Sequence, residues 1–191
     1  DELVLAIPNN NVRKKYYTFL LEQYDEVCAV DEMSLKSLFT DMAFDGQWKP
    51  ALEFMAQAYA KVSSVRDSIE GERNLQGFFM AYLNLNSYYY TMPELELNHG
   101  YCDFFLLPDL THYDTKHSYI IELKMLSKKD FGAMADNGRQ TKAEEQWEQA
   151  VEQINRYADA PRVEALRQGT KLHKIIMQFE GYQLRKIDDR D

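Results

Sequence analysis

The feature that most constrains this chain is charge placed inside two apolar runs between residues 100 and 126. Asp103 opens the run Phe104-Phe105-Leu106-Leu107, and Glu122 and Lys124 interrupt the run from Tyr119 to Leu126. Apolar runs of this kind read as buried strands. An ionised group in or beside a buried strand is costly unless it is paired or bound to a metal. Glu122 and Lys124 are two apart, so a strand points both to one face. An acid from one strand, with an acid and an ammonium from its neighbour, makes a small polar site on a sheet. Two carboxylates suit a hard divalent cation, and an ammonium beside them suits an anion such as a phosphate.

The chain has 191 residues and is 45% hydrophobic, enough for one full core and too apolar for disorder. It has no apolar run of about 18 residues and no basic-then-apolar start, so neither a membrane span nor a signal peptide is expected. It opens on Asp1 rather than Met, which suggests a fragment of a longer protein. Cys28 and Cys102 are far apart and fit buried small apolar residues in a reducing, cytoplasmic compartment. The net charge of −9 argues against broad, unspecific nucleic-acid binding. Lys128, Lys129, Arg139 and Lys142 do cluster after the Glu122–Lys124 strand, and a solvated loop accounts for them.

Periodicity divides the chain into a helical segment, 1–65, leading into an α/β core, 66–191. Helices are expected after Asn9-Asn10-Asn11, over 33–42 and over 50–62, with Gly46 as a break. A fourth helix is expected over 69–85. Strands are expected over 88–97, 101–107 and 118–126, with Asn98-His99-Gly100 as a hairpin turn and Pro93 marking an edge or bulge. Residues 127–140 read as a loop and 141–158 as an amphipathic helix. A short helix to Arg167 follows, then strands over 172–179 and 182–187. The four histidines have no ligand spacing and read as surface residues.

The element order and the charged positions together resemble the PD-(D/E)XK nuclease superfamily. The matching text is Gly71-Glu72-Arg73-Asn74-Leu75-Gln76-Gly77-Phe78-Phe79, Gly100-Tyr101-Cys102-Asp103, Ile120-Ile121-Glu122-Leu123-Lys124 and Gln153-Ile154-Asn155-Arg156-Tyr157. More narrowly, the text resembles the nuclease-like C-terminal region of bacterial proteins whose N-terminal part is an AAA-ATPase-like domain. The resemblance implies a restriction-endonuclease-like αβββαβ core with a central mixed sheet. It departs from the family pattern where Cys102, not proline, precedes Asp103.

The resemblance also implies roles. Asp103 and Glu122, with the Leu123 carbonyl, would hold Mg²⁺ or Mn²⁺, and Glu72 would reach the ion directly or through water. Lys124 would orient the attacking water and stabilise charge at the phosphate of a DNA or RNA substrate. Gln153 and Tyr157, four apart on one helix face, would meet the lysine or the phosphate backbone. Each residue has a plainer alternative. Asp103 can cap a turn, Glu122 can pair with Lys124, Glu72 can serve the helix dipole, and Tyr157 can pack in the core. The rival function is a catalytically silent nuclease-fold module that binds or regulates beside the ATPase-like domain.

Overall fold

The structure, a computed structural model, describes residues 31–65, 71–127 and 136–190. The helix expected after Asn11, as well as Cys28, Lys128 and Lys129, lies outside them. Helix α1 (Glu32–Asp45) starts at Asp31, whose carboxylate accepts from the Met33 and Ser34 amides at 3.1 Å. It ends at Gly46, which has a left-handed φ of 70°. A side chain at Gly46 would also strike the His117 ring, 2.7 Å from where its Cβ would stand. Helix α2 (Trp48–Val65) buries the expected stripe of Leu52, Met55, Ala56 and Tyr59. Helix α3 (Glu72–Leu83) buries Leu75, Phe78, Phe79, Tyr82 and Leu83.

The strands β1 (Tyr89–Leu97), β2 (Gly100–Pro108), β3 (His117–Leu126), β4 (Lys171–Glu180) and β5 (Gln183–Asp189) form one sheet in sequential order. Only β3 and β4 run parallel; the other neighbours are antiparallel. A parallel pair needs a long crossover, and α4 (Asp136–Ala158) with α5 (Pro161–Arg167) supplies it. The β1–β2 turn has positive φ at both central residues, Asn98 (43°) and His99 (65°), which is the two-residue turn that matches strand twist.

One face of the sheet, with Phe104, Tyr119, Ile121 and Phe179, packs on α1, α2 and α3 in a single core. The other, with Phe105, Ile120 and Ile176, packs on Trp147, Ala150, Ile154 and Tyr157 of α4 and Val163 of α5. Each such side chain taken out of water contributes about 1.5–3 kcal/mol. The architecture is the expected mixed-sheet α/β fold with a helical part before it.

Two expectations are corrected. The loop expected over 127–140 is shorter, because α4 already begins at Asp136 and carries Gly138, Arg139 and Lys142. A glycine near a helix start is tolerated, and Asp136 favours that end of the helix. The histidines also divide. His99 is exposed, but His173 is only 4% exposed. His173 Nε2 lies 2.9 Å from His117 Nδ1, and His173 Nδ1 lies 2.5 Å from Asp189 Oδ2. Tyr119 stacks on His173 at 4.9 Å and donates its hydroxyl to the Met42 carbonyl. Parallel pairing of β3 with β4 makes this cluster, since Tyr119 and His173 are in register.

Burial pushes the Asp189 pKa up, but the His173 ring and the Lys174 amide more than offset it and hold the carboxyl below its usual value. His173→Phe keeps a ring and removes both links. It is expected to lower stability by about 1–3 kcal/mol, measured by urea unfolding at neutral pH. A depressed carboxyl contributes stability above its unfolded pKa and loses it as pH falls through the folded value. The gap between wild type and variant should therefore shrink in acid.

Candidate active site

The ladder between β2 and β3 runs only from Leu106↔Tyr119 to Phe104↔Ile121. Beyond it, Asp103 takes over with its side chain. Its Oδ2 accepts from the Leu123 amide at 2.6 Å, and its Oδ1 accepts from Gln76 Nε2 of α3 at 2.5 Å. The β1–β2 ribbon also changes face here. Phe104 packs toward α1–α3, while Cys102 packs toward α4. On β1, Tyr89 and Leu95 divide in the same way, across Glu94 with its positive φ of 48°. Glu94 and Glu96 are both exposed. Asp103 thus stands where two strands separate, which is why its carboxyl can serve both β3 and α3.

Glu122 follows Ile121 on β3 and is 1% exposed. Its Oε1 accepts from Lys124 Nζ at 2.7 Å, and the Lys124 side chain keeps 19% of its surface exposed. The other Glu122 oxygen is buried without a hydrogen-bond partner. Such an orphan acceptor is destabilising by about 1–3 kcal/mol or more.

The electrostatics join these groups. Burial raises the Glu122 pKa, the Asp103 charge raises it further, and Lys124 only partly opposes them. Burial also raises Asp103, against the pull of the Leu123 amide, Lys124 and Gln76. Burial alone would lower Lys124, but the charges of Glu122, Asp103 and Glu72 outweigh it and hold its pKa above the ordinary value. Glu72, in the first turn of α3, is exposed and adds its field to both Asp103 and Lys124.

The structure therefore brings Asp103, Glu122, Lys124 and Glu72 into one electrostatic unit. Gln153 and Tyr157 pair with each other, Gln153 Nε2 donating to the Tyr157 hydroxyl at 2.6 Å. That hydroxyl lies against the hairpin: a Cβ at Gly100 would stand 2.5 Å from it. Tyr157 is buried in the core beneath α4, as its plainer alternative had it. Asp114 and Lys116 pair with each other in the loop before β3. The residue that sequence reasoning gave no role is Gln76. Its signal was spacing, since it lies four after Glu72 on the same helix face.

A family model described as the PD-(D/E)XK nuclease superfamily matches residues 70–189. The chain belongs to the PD-(D/E)XK nuclease superfamily. The match spans α3 and the whole sheet, and so every group in the site. Neither a curated protein nor a solved structure matches the chain significantly.

PD-(D/E)XK nucleases generally use divalent metal ions. Among the described residues, no three His, Cys, Asp or Glu side chains gather as a ready-made metal cage. The residues present still fit a hard cation that keeps its waters. Such ions are often held by one or two carboxylates plus substrate phosphates rather than by an all-protein cage. The unpartnered Glu122 oxygen and the two raised carboxyls have the chemistry of oxygen ligands to such a cation. Among the described residues, no helix is long and apolar enough to cross a membrane.

Proposed function

We propose that this PD-(D/E)XK chain is a nuclease that hydrolyses phosphodiester bonds in DNA or RNA with Mg²⁺ or Mn²⁺. The observation that carries the reading is the buried Glu122, with Lys124 on one oxygen and no hydrogen-bond partner on the other, beside the half-buried carboxylate of Asp103. Asp103, Glu122 and the Leu123 carbonyl would hold the ion, with Glu72 near it. When bound, a divalent ion lowers the pKa of a water and neutralises charge on a phosphate.

The chain's own residues do the rest. Gln76 and the Leu123 amide hold the Asp103 carboxylate in place through both of its oxygens. Lys124 stays protonated because three carboxylates surround it. Its ammonium, fixed by Glu122, presents positive charge where negative charge grows on the phosphate. Water attacks in one step with no covalent intermediate. Tyr157 is core packing that ties α4 to the β1–β2 hairpin, and the half-buried Gln153 is the one of the pair that, in this reading, meets the substrate backbone.

The resemblance carried by residues 71–79, 100–103, 120–124 and 153–157 supports a bacterial, cytoplasmic parent protein with an AAA-ATPase-like part before this one. A second reading is a silent nuclease-fold module serving that part. The net charge of −9 favours it. Cleavage of single- and double-stranded DNA and RNA by the full protein decides. Nicks or cuts that need Mg²⁺ or Mn²⁺ support the nuclease, and intact substrates under every condition support the silent module.

A further inference from the structure

Gln178 of β4 is fully buried and in register with Lys124 of β3. Register partners on neighbouring strands point to one face. Gln178 therefore stands beside the Lys124 stem on the face that α4 covers. A buried amide needs partners for each polar atom, and here it has them. Its Nε2 donates to the Ala143 carbonyl at 2.8 Å and to Gln146 Oε1 at 3.0 Å. Its Oε1 accepts from Arg185 Nη1 at 2.7 Å. At one end, Gln146 Nε2 donates to the Met125 carbonyl at 3.2 Å. At the other, Arg185 Nη2 donates to Gln140 Oε1 at 2.8 Å. The chain of bonds crosses from β5 through β4 and α4 and ends on the residue after Lys124.

The Met125 carbonyl and the Arg185 guanidinium, which bracket the Gln146–Gln178 pair, are one-way groups. A carbonyl only accepts and a guanidinium only donates. Arg185 forces Gln178 to turn its oxygen outward, so its nitrogen faces α4. Gln146 must then offer its oxygen to Gln178 and its nitrogen to Met125. No amide in the line can flip without breaking a bond, so the network has one arrangement. The members beside Lys124 are neutral amides, which place no titrating group there.

We propose that Gln178 is a positioning residue for Lys124. Acting through Gln146 and the Met125 carbonyl, it fixes the β3 backbone from which the lysine reaches Glu122. This rests on the reading of Lys124 as the catalytic ammonium. A lysine tethered at 2.7 Å to a buried carboxylate has little room to correct a displaced backbone.

The test compares wild type with Gln178→Met and Gln146→Met in the full protein. It reads kcat, KM, the alkaline limb of kcat and the ¹⁵N resonance of the Lys124 ammonium, assigned with Lys124→Arg. Misplacing a catalytic group by a fraction of an ångström is expected to cut kcat about tenfold. KM should change little, and the alkaline limb and the ammonium signal should both move. Folded variants that lose only stability, with kcat, alkaline limb and ammonium signal as in wild type, overturn the proposal. Should Gln178→Met not fold, Gln146→Met decides, because Gln146 is only half-buried. If Lys124→Ala cleaves like wild type, it is the catalytic reading that fails, and the ammonium signal still decides on positioning.

Discussion

Replacing Lys124 by alanine should lower the cleavage rate by at least about a hundredfold and leave nucleic-acid affinity within a few-fold. The asymmetry follows from where the charge acts. One ammonium among several phosphate contacts adds modestly to ground-state binding. The same ammonium in a site shielded from water meets charge that appears only in the transition state, where a single donor is worth on the order of 10²–10³ in rate. Lys124 has the two properties the proposed task needs. It is charged because Glu122, Asp103 and Glu72 outweigh its burial, and it is aimed because Glu122 holds it at 2.7 Å. Lys124→Arg is the control for folding, because it keeps a positive partner for Glu122. It should still cleave slowly, since a planar guanidinium does not reproduce the position of a compact ammonium. Single-turnover cleavage with a parallel binding titration measures both effects. Wild-type rates in Lys124→Ala would place the chemistry elsewhere. In a silent module the change would lower only stability, by leaving Glu122 buried without its cation.

What the sequence disclosed about this site, and what it hid, follows from how each residue breaks a pattern. Asp103, Glu122 and Lys124 stand out because charge inside an apolar strand contradicts the strand's own chemistry. The strands themselves were legible too, since apolar runs and the Asn98-His99-Gly100 turn bound them. Gln76 was not legible. A neutral amide in the second turn of a helix looks like any solvated face, and only Asp103 arriving from β2 gives it a role. His117 and His173 are far apart in sequence and meet only through the parallel β3–β4 register, which no local pattern encodes. Gln178 left a faint mark, a polar residue between Met177 and Phe179 in a buried strand, but its partners come from two other elements, α4 and β5. The early start of α4 was hidden by Gly138, which reads as a loop until the helix around it is seen.

The second large effect is on stability, and its sign is opposite to that of an ordinary salt-bridged acid. The folded pKa values of Glu122 and Asp103 lie above their unfolded ones, chiefly through burial, with mutual repulsion adding to Glu122. From the ordinary carboxyl range, about 4–4.5, up to those raised values, the folded state binds more protons than the unfolded state. Stability must therefore fall as pH rises through that window. Each pH unit in it removes up to about 1.4 kcal/mol per fully shifted group. Glu122→Gln deletes one ionisation and, by removing the repulsion, eases the other. Its metal-free stability should be flatter with pH and overtake wild type as pH rises through the raised values, above which wild type carries both charges. Metal reverses the order. An ion bound by the ionised pair stabilises wild type by about 2.7 kcal/mol at a hundredfold excess over its dissociation constant. Glu122→Gln and Asp103→Asn should gain little, because each lacks one of the carboxylates that would hold the ion. Thermal unfolding across pH, with and without Mg²⁺ or Mn²⁺, reads every part of this. Equal shifts in melting temperature for wild type and both variants would mean that the ion acts elsewhere. The buried orphan oxygen of Glu122 would then be strain without a ligand.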